Sequence, residues 1–200
     1  MKTSLNIAVF ASGKGSNFQS LVDYFKKSNL VKIKCLICDN IDAKANDIAK
    51  ASNIPIYNAI SKKFKTKLEP EIENEVCKYL ITQNIDLIVL AGYMRVIKND
   101  LLDQFENKII NIHPSLLPSF KGLNAVKQAI DTGVKISGCT IHFVDKEIDN
   151  GKIIAQSCVS ILDKGTVESL HNKIHAEEHK LYPATIEKVV INILKKSKGI

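Results

Sequence analysis

Leu5-Asn6-Ile7-Ala8-Val9-Phe10-Ala11, followed by Ser12-Gly13-Lys14-Gly15-Ser16-Asn17, decides the fold. The first seven residues are an almost unbroken apolar run and read as a buried strand. The glycine-bearing hexad ends that run, and Phe18, Leu21, Val22 and Phe25 then recur at helical spacing. Strand, glycine turn and amphipathic helix in this order open a βαβ unit. Glycines let backbone N–H groups approach an anion, and a helix N-terminus adds partial positive charge. Gly-x-Gly on its own fits a plain tight turn equally well. The third glycine of the dinucleotide fingerprint is missing, no acidic residue closes the second strand in the fingerprint's setting, and no P-loop Gly-Lys-Ser/Thr follows.

Outward from there, apolar runs and helical periodicities alternate. Strands are expected over 31–38, 54–57, 86–91 and 108–113, with helices over 43–52, 70–83 and 124–131. Residues 62–67 form a basic segment expected to be mobile. Two further strands, 136–144 and 153–161, flank Asp145-Lys146-Glu147-Ile148-Asp149-Asn150-Gly151. A final helix is expected over 167–181, with Pro183 kinking or interrupting it before a C-terminal helical segment. The alternation predicts right-handed βαβ units in one three-layer α/β/α domain over 1–200. Its N-terminal half should be Rossmann-like and its sheet mixed but mainly parallel. No repeat, low-complexity tract or linker marks a second domain.

Two hundred residues at 45% hydrophobic content are ample for one buried core. No apolar run is long enough to span a membrane, and Met1-Lys2-Thr3-Ser4 does not open a signal peptide, so a cytoplasmic protein is expected. Five cysteines in such a chain read as free thiols. The net charge of +7 does not imply nucleic acid, because lysines are scattered and densest only in the tail Lys195-Lys196-Ser197-Lys198, expected to be a solvated helix end. Aromatics are not interleaved with them, and Arg95 is the single arginine. A positive field still favours small anionic substrates.

The chemistry is expected at Lys108-Ile109-Ile110-Asn111-Ile112-His113-Pro114-Ser115-Leu116-Leu117-Pro118. Pro114 ends the strand, because proline has no amide for the ladder. Asn111 and His113, two apart, share one face at the C-terminal end, where ligands bind in open α/β sheets. An amide donor beside an imidazole can stabilise an oxyanion and manage protons. The plainer alternative is a strand end whose polar groups satisfy loop backbone.

The string Asn111-Ile112-His113-Pro114-Ser115-Leu116-Leu117-Pro118 with Phe120-Lys121-Gly122 resembles the signature of the folate-dependent formyltransferases. The resemblance runs from the loop near Ser12 to the helix around Tyr182. It implies an enzyme of purine biosynthesis that moves a formyl group from 10-formyltetrahydrofolate to the amine of glycinamide ribonucleotide, without metal, as monomer or homodimer. It further implies Asn111, His113 and Asp149 as catalytic residues, and Gly15, Ser16, Asn17 and Glu178 as contacts to the ribonucleotide. Folate would meet Met94, Arg95, Val96, Ile97, Asn111 and the loop Asp145, Lys146, Glu147, Ile148 and Asp149. Lys67 stands where the family commonly has arginine, so the folate's glutamyl end would meet a point charge without bidentate geometry. The nucleotide half would be about 1–100 and the folate and catalytic half about 101–200.

Competing readings are specific. Cys35 and Cys38 form C-x-x-C, but residues three apart on a strand face opposite ways, and no second pair completes a zinc site. His175-Ala176-Glu177-Glu178-His179 fits the zinc-protease pattern H-x-x-E-H, and His171 extends the series at four-residue steps. Formyltetrahydrofolate hydrolase shares the Asn-x-His-Pro chemistry but has no nucleotide acceptor, so the Gly15 loop favours the transferase. Methionyl-tRNA formyltransferase is expected to need a further C-terminal domain. A binding protein that has lost activity fits poorly with Asn111, His113 and Asp149 all being present. His142, on the strand before the 145–151 loop, fits either a cleft or a core position.

Overall fold

The computed structural model describes residues 2–162 and 165–197, Asn99 by its backbone alone. Strand β1 (Leu5–Ala11) carries apolar side chains on both faces: Ile7, Val9 and Ala11 enter one core layer, Ala8 and Phe10 the other. A strand of that kind belongs in mid-sheet with helices on both sides. It pairs in parallel with β2 (Val31–Cys38) on one side and β4 (Leu87–Leu90) on the other. The short β3 (Ile56–Asn58) begins two residues later than the sequence predicts. Pro55 has no amide for the ladder and contributes only its carbonyl, which accepts from Leu36 N at 2.8 Å.

The seven strands run β3-β2-β1-β4-β5-β6-β7, with β5 (Ile109–His113), β6 (Ile136–Phe143) and β7 (Ile153–Ser160) completing the sheet. Pairing is parallel as far as β5 and antiparallel from β5 to β6 and β6 to β7, so the sheet is mixed and mainly parallel. Helices α1 (Ser16–Phe25), α2 (Lys44–Ala51), α5 (Ala125–Thr132) and α6 (Val167–Lys196) pack on the face with Ile7 and Val9. Helices α3 (Pro70–Thr82) and α4 (Asn99–Gln104) cover the face with Phe10. Three layers result, with the turn of chain order between β1 and β4. Ligands bind at such a switch point, beyond the carboxyl ends of the strands.

Two further elements differ from expectation. Helix α4 has six residues, too few to leave a periodic signature, and is held by buried Leu101 and Leu102. Helix α6 is a single element of 30 residues with Pro183 inside it. Proline removes one amide, but Tyr182, Pro183, Thr185 and Ile186 are all buried, so tertiary packing spans the defect. The Tyr182 hydroxyl reaches the carbonyls of Leu90 (2.9 Å) and Ile110 (3.1 Å), pinning α6 to the end of β4 and the first half of β5. Lys195 and Lys196 occupy the last turn of α6, where cations complement the helix dipole; Lys198, like Met1, lies outside the described residues. None of the described helices is long and apolar enough to cross a membrane.

Candidate active site

β5 ends at His113, and β6 returns antiparallel beside it, setting Asn111 opposite His142 and His113 opposite Thr140. Asn111 Nδ2 lies 3.2 Å from His142 Nε2, and His142 Nδ1 lies 2.8 Å from the Phe143 carbonyl. A carbonyl only accepts, so Nδ1 carries the proton, and a neutral ring then accepts from Asn111 at Nε2. Thr140 fixes the chain beyond Pro114: its hydroxyl donates to the Ser115 carbonyl (2.7 Å) and accepts from Leu117 N (2.9 Å).

Asp149 enters this pair of strands from the loop after β6. It sits in the left-handed region at φ 50°, and Gly151 follows at a point where an added Cβ would fall 1.8 Å from the Phe143 carbonyl. Only glycine passes there, and that close approach seats the turn bearing Asp149. Asp149 Oδ2 accepts from Gly122 N at 2.8 Å and lies 3.2 Å from His113 Nδ1; Oδ1 is 3.6 Å from His142 Nε2. Burial alone would raise this carboxyl, but His142, the Gly122 amide and the charge of His113 together hold it below the ordinary carboxylate value. On its other side His113 Nε2 is 2.8 Å from the Phe120 carbonyl. Both ring nitrogens therefore face acceptors, an arrangement in which only the doubly protonated ring donates twice.

Across the switch point, Gly15 takes φ 73° at the N-terminal end of α1, a position no side chain caps. A Cβ on it would lie 2.9 Å from Ile48 Cδ1 and 3.0 Å from Ala45 Cα, so glycine is required for conformation and space together. The first amides of a helix have no intrahelical partner, which makes this end receptive to an anion. The Asn17 side chain does not face the loop. It is buried and donates through Nδ2 to Glu178 Oε2 at 2.9 Å. Glu178, one turn before the pinned Tyr182, is buried and its carboxyl is pushed up to about 7, only partly offset by Asn17. His175 Nε2 is 3.6 Å from the same oxygen, too far for a hydrogen bond. Burial, aided by the neighbouring His171 and His179, pushes His175 down to about 4. Between about pH 4 and 7 this is a neutral imidazole beside a neutral carboxyl, not an ion pair.

Expected folate residues divide in three. Met94 is exposed, and its amide donates to Ser12 Oγ at 2.9 Å. Asp145, Lys146, Glu147 and Ile148 form an exposed turn, closed by Glu147 N to Asp145 Oδ1 at 2.9 Å. Ile97 is buried in the core beside α4, and the Val96 amide is spent on the Thr66 carbonyl at 2.9 Å. The Arg95 side chain is likewise not free. It pairs with Asp39 at 2.5 Å, both side chains more than nine-tenths buried, and also donates to the carbonyls of Phe64 and Lys67. Asp39 follows β2 directly, so an acid does close the second strand, but its carboxylate is turned to Arg95.

The segment 62–67, expected to be mobile, is tied along its length. Glu69 Oε1 accepts from the amides of Lys62 (2.9 Å) and Lys63 (2.8 Å), and Lys67 bridges to Val96. Cys35 and Cys38 lie in opposite core layers, as strand periodicity predicts. Among the described residues no three His, Cys, Asp or Glu side chains converge as metal ligands. His142 is the functional candidate that sequence reasoning left between cleft and core. Its signal was a register, Asn111 opposite His142, that only the hairpin geometry supplies.

The formyl transferase family model matches residues 5–186. The phosphoribosylglycinamide formyltransferase of Bacillus subtilis is 43% identical over 184 residues, covering 92% of this chain and 93% of the relative. The enzyme of the same name from Haemophilus influenzae is 37% identical over 182 residues, covering 90% and 85%. The crystal structure of phosphoribosylglycinamide formyltransferase from Anaplasma phagocytophilum superposes with a TM-score of 0.87 at 41% identity, covering 94% of this chain and 88% of that one.

Proposed function

This chain belongs to the formyl transferase family, and from that premise we propose that it moves the formyl group of 10-formyltetrahydrofolate onto the amine of glycinamide ribonucleotide, a step of purine biosynthesis. The observation that carries the reading is the linked set Asn111, His142, Asp149 and His113 at the carboxyl end of β5. The substrate amine is the nucleophile. It attacks the formyl carbon, the carbonyl electrons move to oxygen, and the tetrahedral intermediate collapses by breaking the bond to N10 of the folate. The amine loses one proton and N10 gains one.

Asn111 Nδ2 and His113 Nε2 are the donors for the developing oxyanion. His113 Nε2 now points at the Phe120 carbonyl, an acceptor in the place the formyl oxygen would take, so the reacting complex requires Phe120 to withdraw. Asp149 balances the charge of the protonated ring and, through water, carries the proton from amine to N10. Gly15, Ser16 and the backbone of Asn17 would hold the phosphate at the start of α1, and Glu178 would accept from the ribose hydroxyls. The folate would lie along Met94, Arg95 and Val96 and the 145–149 turn, with Lys67 at its carboxylate end. Each ligand thus draws on both halves of the chain.

The test is formyl transfer measured with and without glycinamide ribonucleotide, in the wild type, Asn111→Ala and His113→Ala. Acceptor-dependent turnover that falls by about 10²–10³ in either variant is expected. Formylfolate consumption that ignores the acceptor would assign the hydrolase reaction instead.

A further inference from the structure

His175 and Glu178 stand three residues apart on one face of α6, and their facing atoms leave a gap between them. His175 Nε2 lies 3.6 Å from Glu178 Oε2, too far for a hydrogen bond. Two donors on one tetrahedral zinc, each about 2.0–2.1 Å from it, lie about 3.3 Å apart. A small side-chain adjustment therefore seats an ion between these two atoms. Metal ligands need to be oriented from behind, and Asn17 does this for the carboxylate: its Nδ2 donates to the same Oε2 at 2.9 Å. The oxygen of that amide, Asn17 Oδ1, is buried with no hydrogen-bond partner among the described residues, and Asn17 is only 7% exposed. Oxygen and nitrogen sit side by side in a planar amide, so Oδ1 is an acceptor in reach of a water carried by the ion. The His175 side chain is 30% exposed, which gives the gap an entry from solvent.

We propose that His175 and Glu178 form a two-ligand site for zinc, completed by water, and that zinc bound there excludes the ribonucleotide. The donor set selects the ion: one imidazole with one carboxylate suits zinc and its transition-metal neighbours, whereas magnesium prefers oxygen alone. Lys14 brings its positive charge to bear on His175, so a cation held by Coulomb attraction alone is repelled. Only an ion that bonds directly to nitrogen and oxygen stays. Two protein ligands hold zinc exchangeably, as suits an inhibitor and not a resident cofactor, and the ion takes no part in formyl transfer. It occupies the carboxylate oxygen that the functional reading gives to the ribose hydroxyls. The site itself rests on geometry, and the competition rests on the formyl-transfer reading.

Calorimetric titration of the chelator-treated enzyme with zinc alone tests the site. One equivalent should bind, and His175→Asn and Glu178→Gln should each weaken it by more than about 100-fold, because losing an outer partner alone costs about 10–100-fold. His171→Asn removes the imidazole stacked on His175 at a centroid distance of 4.0 Å and should bind zinc as the wild type does. In turnover, free zinc at about ten times its dissociation constant should raise KM for the ribonucleotide about tenfold and leave kcat unchanged, while magnesium does neither. Zinc affinity that holds in either His175→Asn or Glu178→Gln refutes the site. A loss in His171→Asn equal to that in His175→Asn also refutes it, since the ion would then lie on the two imidazoles. Zinc that lowers kcat and spares KM refutes the competition, because it has reached the reacting centre instead. A protein that transfers no formyl group refutes the functional reading, and the calorimetry still decides the zinc site.

Discussion

Glu178→Gln should make the free protein more stable at neutral and alkaline pH and leave it unchanged in mild acid. The Glu178 carboxyl is buried, receives a hydrogen bond from Asn17 alone among the described residues, and is pushed up to about 7 from an ordinary value of 4.5. That interval, at about 1.4 kcal/mol per pH unit, is worth about 3 kcal/mol. The sign follows from proton linkage. The folded state holds the proton more tightly than the unfolded chain, so the contribution to stability is full below 4.5, declines as pH rises, and is lost above 7. Glutamine keeps the shape of the protonated side chain and never ionises. The stability difference between variant and wild type should therefore be near zero at pH 4.5 and grow to about 3 kcal/mol by pH 8, or about 6–12 °C in Tm for a domain of this size. Urea unfolding of both proteins from pH 4.5 to 8.5 measures it, because every other titrating group cancels in the difference. A difference that is flat with pH, or a variant less stable at pH 8, would refute the reasoning. Ribose hydroxyls donating to the carboxylate would pull its proton off, so the wild type should also bind the ribonucleotide more tightly at pH 7.5 than at pH 5.5, and Glu178→Gln should not.

Gly15→Val forces a β-branched residue into φ 73° against Ile48 and Ala45, and should raise KM for the ribonucleotide at least about tenfold while folate binding, read by fluorescence titration, holds. Asp149→Asn keeps an acceptor for Gly122 N but removes the charge between His113 and His142, and turnover should fall about 10²–10³-fold in a steady-state assay. Because the Asp149 carboxyl is held low, its contribution to stability is present above the ordinary carboxylate value and lost as pH falls through the lower folded value; urea titrations between pH 5 and 2 should show that acid loss in the wild type and not in Asp149→Asn.

The periodic parts of the chain were legible because their cause is local. Phe18, Leu21, Val22 and Phe25 bury one face of α1, and the double-sided apolar pattern of β1 forces it to mid-sheet, so both could be read from spacing. Asn111 and His113 were legible for the same reason, as neighbours on one face of one strand. What stayed hidden was set by pairing across long separations. His142 enters the cluster through antiparallel register with β5, and Asp39 meets Arg95 over 56 residues of chain. The lone arginine was visible, but its direction was not: a side chain expected to line the folate surface is spent on an acid and two carbonyls. The run of lysines in 62–67 read as mobile because the donors and acceptors that tie it, Glu69 and Arg95, lie outside it.

Two carboxylates stand on either side of the switch point, and the protein treats them oppositely. Asp149 accepts from the Gly122 amide, lies beside the His113 and His142 imidazoles, and is kept charged. Glu178 is buried more deeply and has only the Asn17 amide and a His175 that is itself held neutral, so it carries a proton until about pH 7. Environments that drive two like groups apart in this way assign them different work. The charged one can balance an imidazolium throughout a reaction. The neutral one can meet a ligand's hydroxyls and yield its proton only when they arrive, which couples recognition of the acceptor to a change of charge beside the phosphate-binding end of α1. That coupling costs the free enzyme stability above neutrality, and the cost is the quantity that Glu178→Gln measures.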